Sequence, residues 1–219
     1  MDRIFSGIHD ARALGGPLAG ISFVGGVATA MATARSPYPR PGAAPDAVRR
    51  YFSGSATSAR ISAAGQLLSC AALVIFTAPV VRLARQTGRG SHVLEAAAVA
   101  GGGLAAATLA TSALASAALT RERSDLNRVR NLHALAFLAG GPTHNVGLGV
   151  LTGVVGVAGL TTGALPSMLC RACLAVAPLG IVSPLSLAAK PAMAVIPLAR
   201  FPALILGGIA GAMLARRRR

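Results

Sequence analysis

The chain is 219 residues long, 53% hydrophobic and 12% charged, with a formal net charge of +15 and a mean hydropathy of +0.63. Soluble domains carry roughly 25% charged residues, so this chain has about half the usual solvating charge and is far too apolar to be disordered. Its basic residues, nearly all arginine, are separated by long apolar runs rather than gathered on one polar face, which excludes a soluble nucleic-acid binder.

Crossing a hydrocarbon core of roughly 30 Å takes about 20 mostly apolar residues of helix, the form in which backbone polar groups satisfy one another in lipid. Six stretches qualify, so the expected fold is all-α: a polytopic bundle of six transmembrane spans forming a single integral membrane domain over residues 1–219.

The first span is expected near Ala13–Ala34. A signal peptide is the alternative there: Arg3 and Arg12 would be its charged start, and Ala30-Met31-Ala32 or Ala32-Thr33-Ala34 its cleavage site. Cleavage would leave five spans and an external N-terminus. The segment from Arg35 to Arg60 is the one sizeable polar stretch, and Pro37, Pro39, Pro41 and Pro45 stiffen its first half against helix formation. Asp46 can then cap a short helix over Ala47–Phe52, with Val48, Tyr51 and Phe52 on one face and Arg49 and Arg50 on another. Such a helix suits the membrane interface, aromatics dipped and arginines at phosphate level; a solvated loop with one helical turn is the alternative.

The second span is expected near Ile61–Val81 and the third near Val93–Leu119, where Gly101-Gly102-Gly103 and many alanines would let neighbours approach on all sides and so place it centrally. From Asn131 to Ala189 the sequence is apolar for about twice the length one helix can use, so it must fold back. The corner is expected at Thr161–Ser167, where Gly163 and Pro166 supply the turn, giving spans near Leu132–Leu160 and Met168–Ala188. The sixth runs from about Met193 to Ala215, ahead of Arg216, Arg217, Arg218 and Arg219, whose charges suit anionic headgroups. Small residues four apart, Gly16 with Gly20, Gly149 with Gly153 and Gly207 with Gly211, favour close helix packing. Pro79, Pro142, Pro178, Pro184, Pro197 and Pro202 interrupt helices and free carbonyls, as kinks or as hinges.

Six spans put both termini on one side. Lysine and arginine are nearly balanced between the two sets of loops, so orientation turns on the dense C-terminal arginine run and on the long first loop. Together they favour both termini in the cytoplasm, with residues 35–60 outside the plasma membrane.

Ionisable residues within spans are costly, on the order of 3 kcal/mol on insertion scales, and so are functional candidates. His144, in Pro142-Thr143-His144-Asn145, is the most deeply placed: either a histidine bonded to a carbonyl, or a proton relay or ligand contact. Arg200 lies in the outer part of the sixth span, where it snorkels, pairs structurally, or fixes an anionic ligand. His133, near the outer end of the fourth span, is expected at a similar depth. Glu95 and Arg171 both lie near the inner membrane face, where an ion pair between them is feasible. His92 and Glu95 are three apart, but two ligands do not make a zinc site, so no metal and no cofactor are expected. Cys170-Arg171-Ala172-Cys173 spells C-x-x-C, yet it opens a membrane helix with no second pair to pass electrons on, so apolar packing is the better account. Phosphate-loop, zinc-protease and nucleophile-elbow motifs are absent, and Glu95 is the one carboxylate in the spans, so no catalytic residue is assigned.

Three motifs carry a resemblance: Pro45-Asp46-Ala47-Val48-Arg49-Arg50-Tyr51-Phe52, the corner Thr162-Gly163-Ala164-Leu165-Pro166, and Ile196-Pro197-Leu198-Ala199-Arg200-Phe201. In these the chain resembles uncharacterised six-span integral membrane proteins of actinobacteria, a group of unknown function. It departs from their pattern at the corner, where Ser167-Met168-Leu169-Cys170 stands without a tryptophan, and at Ala199, where the pattern has glycine. The resemblance implies fold and compartment and singles out Arg200; it implies no activity. The expected function is a non-enzymatic structural or interaction component, partnered by the bilayer and by a second copy or another membrane protein, with no nucleic acid. Permeation of a small molecule or ion past His144, Asn145, Thr143, Arg200 and His133 is the alternative, and a membrane-embedded enzyme on a lipid substrate is the third. Permeation calls for a water-accessible cavity touching both His144 and Arg200.

Overall fold

A computed structural model describes residues 11–88, 90–122, 124–188 and 193–216. Arg3, Arg89, Arg123, Lys190 and Arg217–Arg219, which enter the orientation argument, lie outside the described residues. The apolar runs are helices, and among the described residues there is no strand. In chain order they are α1 (Gly15–Thr33), α2 (Pro45–Gly54), α3 (Ala56–Arg85), α4 (Ser91–Leu119), α5 (Leu126–Leu138), α6 (His144–Thr162), α7 (Ser167–Ile181) and α8 (Val195–Arg216). A π-turn over Ala139–Thr143 joins α5 to α6, and a 3-10 turn over Ser183–Leu187 follows α7. Among the described residues six helical segments are long and apolar enough to cross a membrane, α5 and α6 counting as one broken segment from Leu126 to Thr162. Ile21, Leu68 and Met168 are 69%, 63% and 83% exposed, as lipid-facing side chains would be, and the chain is a multi-pass membrane protein.

The bundle is held by backbone-close helix crossings. Gly101 and Ala105 of α4 face Gly147 of α6 so tightly that a Cβ on Gly147 would sit 2.7 Å from Gly101 O and against Ala105 N. Another on Gly102 would collide with the Thr77 side chain of α3, whereas Gly103 faces open space. Glycine at Gly101 and Gly102 thus lets α4 pack closely on both α3 and α6, and Gly103 takes no part. A Cβ on Gly149 would lie 2.7 Å from Ala177 O, and one on Gly16 2.5 Å from Gly207 O. Gly211 packs on Ala13 O, so the two described ends of the chain lie side by side. The fold-back occurs at the expected corner: Gly163, at φ +62°, ends α6 in the left-handed conformation, and Pro166 precedes α7.

The polar loop differs from expectation in two respects. Its helix starts at Pro45, whose fixed φ suits the first helical position, so Asp46 lies inside the first turn and pairs with Arg49 at 2.9 Å instead of capping. The apolar face is the expected one, but it is not dipped into lipid. Val48, Tyr51 and Phe52 are buried against Ala59, Leu119 and Val129, forming a second small core. The reason is that α5 begins at Leu126, not near Leu132, capped by Asp125 accepting from the backbone N–H groups of Asn127 and Arg128 at 2.9 and 3.0 Å. The extra turns give α2 a protein wall to pack on. Tyr38 closes this cap against Tyr51, Phe52 and His133, with ring centroids 5.3, 6.0 and 6.0 Å away. Its hydroxyl lies at Ser116, and although 55% of the residue's surface is exposed, burial of that hydroxyl, with Tyr51 nearby, pushes its pKa up to about 12.

Candidate functional site

The polar centre of the bundle grows out of one sequence feature, Ala139-Gly140-Gly141-Pro142-Thr143. Pro142 has no N–H to return to the preceding turn, and Gly141 takes a non-helical conformation at φ −94°, ψ −105°. A broken helix in lipid leaves carbonyls that water cannot reach, and each must find a donor within the protein. Four side-chain contacts meet that need. Ser112 of α4 donates to Ala136 O at 2.9 Å. Arg200 of α8 donates through Nη2 to Gly140 O and to Gly141 O, the latter at 3.1 Å. The Ser183 hydroxyl lies 2.9 Å from Pro142 O and 2.7 Å from Gly180 O. The guanidinium also sits at the carbonyl end of α5, where the helix dipole favours positive charge.

Arg200 is itself held in place. Its Nε donates to Asn145 Oδ1 at 3.1 Å, and Asn145 Nδ2 donates to Ile196 O at 2.9 Å, tying the start of α6 to the first turn of α8. Its Cζ lies 5.1 Å from the ring centroid of Phe23 on α1, a cation–π contact. On the adjoining side His144 stacks on Phe23 with ring centroids 6.5 Å apart and planes 16° apart, while Phe201 meets the same ring edge-on. His144 Nδ1 lies 2.8 Å from Ala105 O. A carbonyl accepts only, so Nδ1 carries the proton, and Nε2 is left fully buried without a partner. His144 and Asn145 are both wholly buried. Five helices therefore meet at this cluster: α1, α4, α5, α6 and α8.

Thr143 is half-buried at the edge of the cluster, next to His144. His133 does not join it. Seven residues before Gly140, it sits about 10 Å further along the helix at 1.5 Å per residue, within the cap and against Tyr38. The shared depth expected of His133 and Arg200 is thus corrected, because α5 extends beyond the bundle to meet α2. The pairing expected of Glu95 with Arg171 is also corrected. Glu95 receives Arg85 Nε at 2.6 Å and the Ser91 hydroxyl at 3.2 Å, because the short turn between α3 and α4 brings both to it, while Arg171 is exposed on α7. Among the described residues no group of three or more His, Cys, Asp or Glu is placed to hold a metal ion. Cys170 and Cys173 are free thiols buried in the apolar core. A small interior cavity of about 20 Å3 lies among Gly16, Leu73, Phe76, Leu151, Cys173 and Leu204, and it touches neither His144 nor Arg200.

Sequence reasoning missed Phe23, Ser112, Ser183 and Ala105. The serines were legible only as hydroxyls amid small apolar residues, and Ala105 acts through its carbonyl, which no side-chain pattern reveals. No family model, curated protein or solved structure matches the chain.

Proposed function

We propose that this protein is a non-enzymatic structural or interaction component of the plasma membrane, and that Arg200, Asn145 and His144 brace its broken helix. One observation carries this reading: Arg200 and Asn145 tie the carbonyls of the break and the start of α6 to α8, and His144 Nδ1 meets Ala105 O of α4, so the three side chains join the broken span to two neighbouring helices. Permeation calls for water at His144 and Arg200, whereas the cavity among Gly16, Leu73 and Leu204 touches neither. Membership of the actinobacterial six-span group rests on the three quoted motifs. Termini on one side are supported by the even number of spans among the described residues and by the adjacency of Ala13 and Gly211, and the arginine run of the sequence at 216–219 with the long first loop favours the cytoplasm for both. A second copy or another membrane protein, reached along the lipid-facing helices, is the partner of this reading.

Reconstitution into vesicles tests it. Vesicles holding the protein, loaded with a pH-sensitive dye and given proton, chloride or phosphate gradients, should leak no faster than empty ones. Flux above that background, abolished by His144→Phe, would overturn the brace reading in favour of permeation.

A further inference from the structure

Arg200 is braced but not neutralised. Its partners are two backbone carbonyls, a neutral amide and an aromatic face, and among the described residues no carboxylate pairs with it. One nitrogen is uncommitted: Nη1, with two N–H groups, makes no hydrogen bond, and it is not among the buried polar atoms lacking a partner. The residue as a whole is partly exposed, so this edge of the guanidinium reaches the surface of the bundle.

The surface it reaches is a groove. The crossing of α1 and α8 is tightest at Gly211 on Ala13 O and at Gly16, whose added Cβ would lie 2.5 Å from Gly207 O. One turn further, a Cβ on Gly20 would lie 3.5 Å from Leu204 O, and beyond it the Phe23 and Phe201 rings wedge the helices apart, 6.5 Å between centroids. Arg200 stands where they part. Val24, one turn beyond Gly20 on the same face of α1, is 44% exposed, an apolar surface along which an acyl chain can lie. Arg200 is five residues from the start of α8, about 7.5 Å along the axis from that helix end.

An uncompensated guanidinium in a low-dielectric surround attracts a counter-charge strongly, and phosphate oxygens match its planar donors. A water-borne ion would have to enter from the side of a membrane span, whereas a lipid already lies there. We propose that the groove where α1 and α8 part binds the phosphate of an anionic lipid through Arg200 Nη1, with an acyl chain along Val24. This site is separate from the C-terminal arginines, and it stands whether or not the protein associates with a partner.

The test uses the full chain in dodecyl maltoside, with native mass spectrometry reading lipids that survive delipidation. Phosphatidylglycerol should remain bound where phosphatidylcholine does not, and Arg200→Gln should weaken it about tenfold, as expected for loss of one charge-assisted hydrogen bond. Retention equal for both lipids, or unchanged in Arg200→Gln, would overturn the proposal. Inorganic phosphate is the third arm: if it displaces phosphatidylglycerol at millimolar concentration and binds alone with equal affinity, the site is a free-anion site and the lipid assignment fails. If Arg200→Gln does not fold, a photoactivatable phosphatidylglycerol on the wild-type chain decides. Labels in 15–33 and 195–216 support the groove, and labels confined to other segments overturn it.

Discussion

Replacing Arg200 with methionine keeps much of the side chain's apolar bulk and removes three hydrogen bonds, to Gly140 O, Gly141 O and Asn145 Oδ1. Gly141 O keeps the His144 N–H, so two acceptors are left unpaired away from water at about 1–3 kcal/mol each, roughly 4 kcal/mol together at the middle of that range. Loss of the cation–π contact with Phe23 adds about 1 kcal/mol. Against this, no charge need be held within the membrane, a gain of about 3 kcal/mol on insertion scales. The net is a destabilisation of about 2 kcal/mol. Because insertion itself becomes easier, the variant should reach the membrane in normal amounts and fail in packing. Equilibrium unfolding in mixed dodecyl maltoside and dodecyl sulfate micelles, followed by far-ultraviolet circular dichroism, measures the difference. Arg200→Lys, with its charge kept but its planar fork lost, should fall between the two. In a double-mutant cycle Arg200→Met and Asn145→Ala should couple by about 1 kcal/mol or more, since they share a bond. If Arg200→Met unfolds within about 0.5 kcal/mol of the wild type, an ordinary surface effect, then the guanidinium does not cap the break and the brace reading is wrong.

Four further outcomes are expected. Gly147→Leu should destabilise the bundle by about 3 kcal/mol, because its Cβ would collide with the Ala105 backbone; stability unchanged in the same unfolding assay would show that α4 and α6 can part freely. In a Cys70→Ala background, Cys170 and Cys173, both 0% exposed, should resist a water-soluble maleimide until dodecyl sulfate unfolds the chain. Fast labelling or a disulfide in the folded protein would revive the redox account of the C-x-x-C. Burial holds the Tyr38 hydroxyl un-ionised from its ordinary pKa of 10.0 up to about 12, and raises Tyr51 as well. The unfolded chain loses these protons first, so the cap's contribution to stability is intact below pH 10 and is lost as pH rises toward 12. With only two tyrosines in the chain, ultraviolet phenolate absorbance reads both, and ionisation near pH 10 in the folded state would contradict the packing of the cap. Finally, a C-terminal fluorescent protein that matures only in the cytoplasm should glow, and alkaline phosphatase inserted at Gly42 should be active; the reverse pattern would invert the topology.

Much of the fold was legible because lipid imposes its demands locally. A run of about 20 apolar residues becomes a helix whatever its neighbours do, since only internal hydrogen bonds can satisfy its backbone. The corner at Gly163 and Pro166 was equally local, and so was the apolar face of α2, because spacing alone sets which residues share a side. What covers that face was not local. Val48, Tyr51 and Phe52 read as dipped in lipid until α5 proved long enough to pack on them.

The same division runs through the polar centre and through the composition. Apolar excess and scattered arginines determined a multi-pass helical membrane protein, and the cost of an ionisable group in a span marked His144 and Arg200. Pro142 determined that the fourth span would be interrupted, since its ring removes an N–H in any context. Only the tertiary structure decided that Arg200, nearly sixty residues away, covers the carbonyls of that break. It likewise assigned Ala105 to His144 and Arg85 to Glu95. Such choices depend on how closely α1, α4, α6 and α8 approach, which glycines at Gly16, Gly101 and Gly147 permit but do not specify. A residue's expense in lipid is written in its own chemistry; the partner that offsets it is written in the packing of the helices around it.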